Sequence, residues 1–79
     1  MPVKRYTPQE ASEYLLRAHG LRRAPRTLAN LRSRGDGPRY IKPSAIEVLY
    51  DEADLDEYAE RLTARRYRHT AEEAIPHNV

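Results

Sequence analysis

Side chains that can bind phosphate groups and base edges are concentrated between residues 24 and 42, in the sequence APRTLANLRSRGDGPRYIK. Arginine can donate two parallel hydrogen bonds to guanine or to a phosphate, asparagine can pair with adenine in the same way, and threonine can donate to a phosphate. This chemistry requires that the side chains share one exposed surface, which the local structure must provide.

A short helix that begins near Pro25 and stops at Gly35 would provide that surface. Proline suits the first helical position, and glycine is the residue type that most often ends a helix. Leu28 and Leu31 face inward, and at about 100° per residue the opposite face and its flanks are polar. Arg32 lies nearer the inward side, where its alkyl stem can cover apolar surface. The polar face contains Arg26, Thr27, Asn30, Ser33 and Arg34.

A first helix is predicted directly upstream of this one. Thr7 can cap it, Pro8 suits its first position, and Glu10 completes a capping box. Gly20 ends the helix, and Leu21 is expected to anchor the following turn in the core. The inward-facing residues, at i, i+3, i+4 and i+7 spacing, are Ala11, Tyr14, Leu15 and Ala18.

Residues that favour strands follow the second helix. A turn at 36–38 leads into a short strand at 39–42, and residues 46–50 form the returning strand of a hairpin. A third helix starts at Asp51 and continues through 64–69, with acidic residues in its first turns, where the helix dipole favours them. Its apolar stripe consists of Leu55, Tyr58, Ala59 and Leu62.

These elements predict a mainly α-helical domain with a small β-hairpin, namely a winged helix-turn-helix of three helices plus a two-stranded wing. We place it at residues 1–69 and a flexible C-terminal tail at residues 70–79, where periodicity is absent. The chain has no cysteine for a disulfide or a thiolate metal site, and no apolar run long enough for a membrane helix. The expected location is cytoplasmic and nucleoid-associated.

Charge is sorted along the chain. Residues 14–46 contain eight basic side chains and one acidic side chain, a net charge of +7, whereas residues 47–60 contain seven acidic side chains and no basic one. A fold that keeps these segments apart has one basic and one acidic surface, and a polyanion would bind the first. An ordinary solvated surface with paired charges is the alternative interpretation.

Three motifs occur in order between Tyr6 and Leu62: YTPQEASEYL, RTLANLRSRGDGPRYIK and VLYDEADLDEY. In order and spacing, this stretch of 57 of the 79 residues resembles the excisionase/AlpA-like branch of the MerR-type winged-helix DNA-binding families. The resemblance implies that the second helix enters the major groove and that the wing lies along the adjacent backbone or minor groove. The residues it implies as DNA contacts are Arg26, Thr27, Asn30 and Arg34 on the helix and Arg39 and Lys42 on the wing strand.

The function implied by the resemblance is that of an excisionase, or recombination directionality factor, of a mobile element. Such a protein binds repeated sites in double-stranded DNA, bends the DNA beside an attachment site and directs an integrase. An AlpA-type transcription regulator is the alternative, with the same fold and the same contacts. A second alternative is a protein-interaction adaptor in which the acidic third helix binds a basic partner.

The chain departs from the family pattern at two places. The stretch between residues 15 and 26 is longer than in the commonest version of the motif, so either the first helix is longer by a turn or the turn that follows it is longer. Arg22 and Arg23 in this extension are either additional phosphate contacts or part of a solvated turn. The wing tip reads Ser-Ala-Ile-Glu where family members often have Gly-Arg-Arg, so it lacks basic charge. We predict instead that Ile46 and Leu49 form a contact between protomers bound side by side on DNA.

Catalytic and metal-binding signatures are missing from the sequence. The three histidines are scattered without the spacing of metal ligands, and no glycine-rich phosphate loop occurs. We therefore expect no enzyme activity, cofactor, metal, small-molecule substrate or membrane partner.

Overall fold

The computed structural model describes residues 4–66 and residue 68. This part of the chain is mainly helical, with one two-stranded antiparallel sheet. The predicted tail at 70–79 lies outside the described residues. The elements in chain order are β1 (Arg5–Tyr6), α1 (Pro8–His19), α2 (Pro25–Arg34), β2 (Tyr50–Asp51) and α3 (Glu52–Thr63).

The start of α1 confirms the predicted capping box. The Thr7 hydroxyl accepts from the Glu10 backbone N–H at 3.2 Å, and the Glu10 carboxylate accepts from the Thr7 N–H at 3.0 Å. Ala18, predicted to face inward, is exposed. The reason is that His19, one position further along this last turn, is the residue whose ring contacts α3.

The bounds predicted for α2 are also confirmed. Leu28 is fully buried and Leu31 is 9% exposed. Gly35 follows the helix with φ of 75°, a left-handed conformation that favours glycine. The N–H of Gly35 and that of Asp36 donate to the Arg32 and Leu31 carbonyl oxygens at 3.2 and 3.0 Å, which turns the chain away from the helix axis.

The sheet differs from the predicted hairpin. β1 pairs with β2 in the register Arg5 with Asp51 and Tyr6 with Tyr50. The predicted strands at 39–42 and 46–50 meet only at the bridge between Ile41 and Leu49, whose backbones exchange two hydrogen bonds of 2.8 Å. Pro43 lacks an N–H and so cannot extend this pairing.

Residues 49–51 consequently pair through their backbones with two different segments of the chain. Leu49 bonds to Ile41, whereas Tyr50 pairs with β1, because alternate residues of an extended chain direct their backbone groups to opposite edges. The returning strand of the predicted wing thus becomes the joint between the N-terminal segment and the loop 41–49.

The core lies where the three helices meet this joint. Leu21 packs against it from the turn after α1, as predicted, together with Tyr6 and Val48. The buried residues of the core are Ala11, Tyr14, Leu15, Leu28, Leu31, Tyr50, Leu55, Tyr58 and Ala59.

Two expectations for α3 are wrong. The helix begins at Glu52 and ends at Thr63, so residues 64–66 do not continue it. Leu62 is 44% exposed because it lies in the last turn, beyond Ala59, where the core no longer covers the helix. Among the helices of the described segment, none is long and apolar enough to cross a membrane.

Candidate nucleic-acid interface

The polar face of α2 is exposed as predicted. It lies opposite the buried pair Leu28 and Leu31, which fixes the helix against the core and turns its other side to solvent. All five side chains predicted for this face are exposed: Arg26, Thr27, Asn30, Ser33 and Arg34.

Arg34 makes an ion pair at the end of this face. Its Nε lies 3.8 Å from the Asp36 carboxylate, and both side chains are about two-thirds exposed, at 65% and 64%. An exposed pair at this distance contributes little to stability, so a stronger anion can compete for Arg34.

Arg32 is held differently from the arginines of the exposed face. Its Nη1 donates to the Tyr50 hydroxyl at 2.7 Å, and its guanidinium carbon lies 5.8 Å from the centre of the Tyr40 ring. The two tyrosine rings are 6.5 Å apart and tilted by 58°. The half-buried position predicted for Arg32 is correct, but its two tyrosine partners are too distant in sequence for helical periodicity to indicate them.

The two arginines of the α1–α2 connection occupy different environments. Arg22 is exposed, whereas Arg23 is half-buried. Arg23 Nε donates to the Tyr58 hydroxyl at 3.1 Å, and its Nη1 donates to the Arg22 carbonyl oxygen at 3.0 Å. Arg23 thus ties the connection to α3, and Arg22 is the one whose side chain lies open to solvent.

The segment after α2 contains the remaining predicted site residues. Arg39 and Lys42 are exposed. Ile46 is 93% exposed, whereas Leu49 is half-buried and forms the bridge to Ile41. Of the two residues predicted to contact a neighbouring protomer, only Ile46 therefore lies fully at the surface.

An open groove of about 390 Å³ separates the end of α2 from the segment that follows it. Gly37 makes the close approach at its base, because a Cβ there would lie 2.9 Å from the Leu31 Cβ. Sequence reasoning missed this groove, since two chain segments have to meet before it exists. The lining residues are Leu31, Arg32, Gly35, Gly37, Pro38, Arg39 and Tyr40.

A polar cluster on another part of the domain joins α1 to α3. The Tyr14 hydroxyl donates to Asp56 Oδ1, and His19 Nε2 lies 2.7 Å from the same oxygen. The bond from Tyr14, followed by the contact with His19, lowers the pKa of Asp56 despite partial burial. The same bond, with burial, raises the pKa of Tyr14 above its ordinary value of 10.0.

Several acidic side chains near α3 are engaged inside the fold. Asp51 accepts from Arg5 Nε at 2.9 Å, and Glu52 accepts from the Tyr6 hydroxyl at 2.9 Å. Burial and this bond raise the pKa of Tyr6. Within residues 4–66 and 68, no group of three or more histidine, cysteine, aspartate or glutamate side chains is arranged to hold a metal ion.

The domain so defined is mainly helical, with a small antiparallel sheet and a basic helix face open to solvent. Comparisons of the chain with protein-family models, with curated proteins and with solved structures found no match. Its function is therefore argued from its own residues.

Proposed function

We propose that the chain is a DNA-binding protein of the winged helix-turn-helix class, with α2 as the recognition helix. The observation that carries this is the division of α2 into a buried apolar side and an exposed side of hydrogen-bonding and basic groups. An ordinary solvated helix needs no such grouping, since acidic and basic residues usually alternate on it.

The dimensions of α2 suit the major groove. A helix with its side chains is about 10–12 Å across and the groove of B-DNA is about 12 Å wide, so one helix can lie in it. The ten residues of α2 span about 15 Å, which is long enough to reach several base pairs. Arg26 and Asn30 lie one helical turn apart and are the candidates for guanine and adenine edges. Thr27 on a flank and Ser33 in the middle of the exposed face are the candidates for phosphate contacts.

The start of α2 is suited to a phosphate. Its first turn reads Pro-Arg-Thr-Leu, and Ala24 at the N-cap has only a methyl side chain. Pro25 has no N–H, and the Leu28 N–H donates to the Ala24 carbonyl oxygen at 3.0 Å. The amides of Arg26 and Thr27 are therefore the ones left for an outside acceptor, and the positive end of the helix dipole favours an anion there. Arg26, in the same turn, adds a full positive charge.

Arg39 and Lys42 extend the basic surface beyond the helix. They flank the exposed Tyr40 and the half-buried Ile41, and the Ile41–Leu49 bridge holds this segment against the fold. In this proposal they bind the DNA backbone beside the groove, and Arg22 contributes a further phosphate contact from the other end of α2. Arg23 acts indirectly, because it positions that connection through Tyr58.

The biological role that we infer is that of an excisionase or recombination directionality factor acting beside an attachment site, with an integrase as protein partner. A regulator of the AlpA type would use the same contacts at a promoter. Footprinting distinguishes the two, because tandem direct repeats with bent DNA indicate the first role and an operator that overlaps a promoter indicates the second.

An adaptor that uses α3 has less support, because Asp51, Glu52 and Asp56 already bind partners within the fold. The other acidic groups of α3 are the half-buried Asp54 and the exposed Glu57 and Glu60. If α3 were the functional surface, changing Glu57 and Glu60 to glutamine would abolish binding to a basic partner and leave DNA affinity unaffected.

The deciding experiment is a mobility-shift titration on duplex DNA over a range of salt concentrations. Six to eight phosphate contacts predict a log–log slope of about −5 to −7. A flat dependence, or the absence of a shifted complex, would contradict DNA binding. Lys4→Ala is the matched control, since it removes an exposed charge outside α2 and the 39–42 segment.

A further inference from the structure

Ile46 is a large apolar side chain held out into solvent. It lies at the tip of the loop closed by the Ile41–Leu49 bridge and is 93% exposed. Ser44 shapes the tip: its hydroxyl accepts from the Ile46 N–H at 3.4 Å, and its carbonyl oxygen accepts from the Glu47 N–H at 3.4 Å. A defined turn therefore presents Ile46 outward, where its hydration is unfavourable.

The groove at the end of α2 offers the complementary surface. Leu31, Pro38 and Tyr40 are its apolar lining residues, and Tyr40, which is 44% exposed, is the one of the three with a substantial accessible surface. Gly35 has open space where a Cβ would lie, so no side chain fills that side. The volume of about 390 Å³ accommodates a branched side chain together with its neighbours in the chain. Because Ile46 is exposed, it does not occupy the groove of its own molecule.

We propose that Ile46 of one copy inserts into this groove of a second copy. The adjacent Glu47 then faces the two guanidinium groups that line the groove, those of Arg32 and Arg39. The contact is thus apolar at its centre and complementary in charge at its edge. The contact pairs Ile46 with the groove and not with Leu49, whose side chain is half-buried.

Such a contact is heterologous, because a tip on one protomer meets a groove on the next. In a pair, the copy that inserts its tip keeps a free groove and the other copy keeps a free tip, so further copies can add at both ends of a row. A single loop in a groove buries far less than the roughly 1,200–2,000 Å² of a stable interface. The contact is therefore weak in free solution and becomes effective where neighbouring sites raise the local concentration. That last step rests on the proposed DNA binding, whereas the contact itself does not.

Disulfide trapping without DNA tests the contact directly, because the chain contains no cysteine of its own. Ile46→Cys protein is mixed at high concentration with Arg39→Cys protein, which changes the groove rim and leaves Tyr40 in place. We expect the mixed disulfide to form faster than either homodimer. The control replaces Arg39→Cys by Thr63→Cys, an exposed position at the end of α3.

Two results would overturn the contact. One is a mixed disulfide that forms no faster with Arg39→Cys than with Thr63→Cys. The other is a predominance of the Ile46→Cys homodimer, which would indicate a tip-to-tip contact. Helical circular dichroism of each variant checks that these exposed substitutions leave the fold intact.

Cooperative binding to duplexes with one or two sites provides the second measurement. Ile46→Ser and Tyr40→Ala should each reduce cooperativity about 10- to 100-fold, as expected for loss of one buried aliphatic contact. A mixture of the two should restore pairs on a two-site duplex, because Tyr40→Ala protein keeps its tip and Ile46→Ser protein keeps its groove.

The two proposals fail separately in these assays. If the unaltered protein does not bind a duplex with one site, the DNA-binding proposal is overturned, while a specific mixed disulfide would still support the contact between copies. Normal single-site binding with unchanged cooperativity in Ile46→Ser would overturn the contact alone.

Discussion

Arg32 Nη1 donates a hydrogen bond of 2.7 Å to the Tyr50 hydroxyl and so joins α2, the helix with the basic face, to β2. Tyr50 is fully buried and pairs with Tyr6 on β1. The orientation of α2 is thus coupled to the N-terminal segment through one residue. Such coupling suits the proposed DNA-binding surface, because the bond resists rotation of the helix relative to the sheet.

Tyr50→Phe should destabilise the domain by about 1–2 kcal/mol, because it leaves the half-buried Arg32 guanidinium without this acceptor. Urea unfolding followed by circular dichroism measures the change. Tyr40→Phe is the matched control, since it removes a hydroxyl from an exposed ring, and we expect less than half the effect. If both variants lose the same free energy of unfolding, the hydrogen bond between Arg32 and Tyr50 does not contribute to stability beyond the loss of a hydroxyl.

Thr7→Ala should cost about 1 kcal/mol, the usual value for loss of an N-cap. The substitution removes the acceptor for the Glu10 N–H and half of the capping box. Ser12→Ala, inside the same helix, serves as the comparison and should change stability much less. The measurement is the midpoint of thermal unfolding.

Asp56 should make the domain sensitive to acid. Its pKa is lowered in the folded state by Tyr14 and His19, so folding favours the carboxylate. The resulting stability is present above the unfolded pKa, near 3.8, and is lost as the pH falls through the folded pKa. Asp56→Asn should flatten this part of the stability–pH curve; an unchanged acid limb would rule out the assignment.

Tyr14 should make the domain lose stability at alkaline pH. Its folded pKa is raised by the bond to Asp56, so the stability is present below the unfolded value of 10.0 and declines above it. Tyr14→Phe should remove this decline. Since both residues share one hydrogen bond, the double variant should lose less stability than the two single losses combined.

Arg26→Ala should weaken binding to the preferred site by about 1–3 kcal/mol and relax the preference at one base pair. Selection from a random duplex pool, performed with both proteins, measures that preference. A uniform loss across all sequences would assign Arg26 to a phosphate instead. Arg61→Ala on α3 is the control for general charge, since Arg61 is an exposed arginine on a helix outside the proposed interface.

Lys42→Ala should reduce the magnitude of the salt slope by about one and leave sequence preference unchanged, as expected for one phosphate contact. The same titration on Arg22→Ala tests the other end of α2. A slope equal to that of the unaltered protein would exclude the residue from the interface.

The helices could be predicted because their signals are local. The Thr7–Glu10 capping box acts within one helical turn, and so does the stop at Gly35. The exposed face of α2 follows from Leu28 and Leu31 by periodicity alone. Periodicity wrongly predicts that Ala18 and Leu62 face inward. Both lie at helix ends, where the apolar pattern of the sequence continues but no neighbouring element covers the helix.

What the sequence by itself determined is the three helices, the sorting of charge and the set of side chains that α2 exposes. What only the tertiary structure decided is which segments meet across long distances. β1 and β2 pair across 46 residues, Arg32 finds Tyr50, and the groove forms between α2 and the chain beyond it. The physical reason is that local hydrogen bonds involve residues already adjacent in the chain, whereas a distant partner is selected by burial of the shared core.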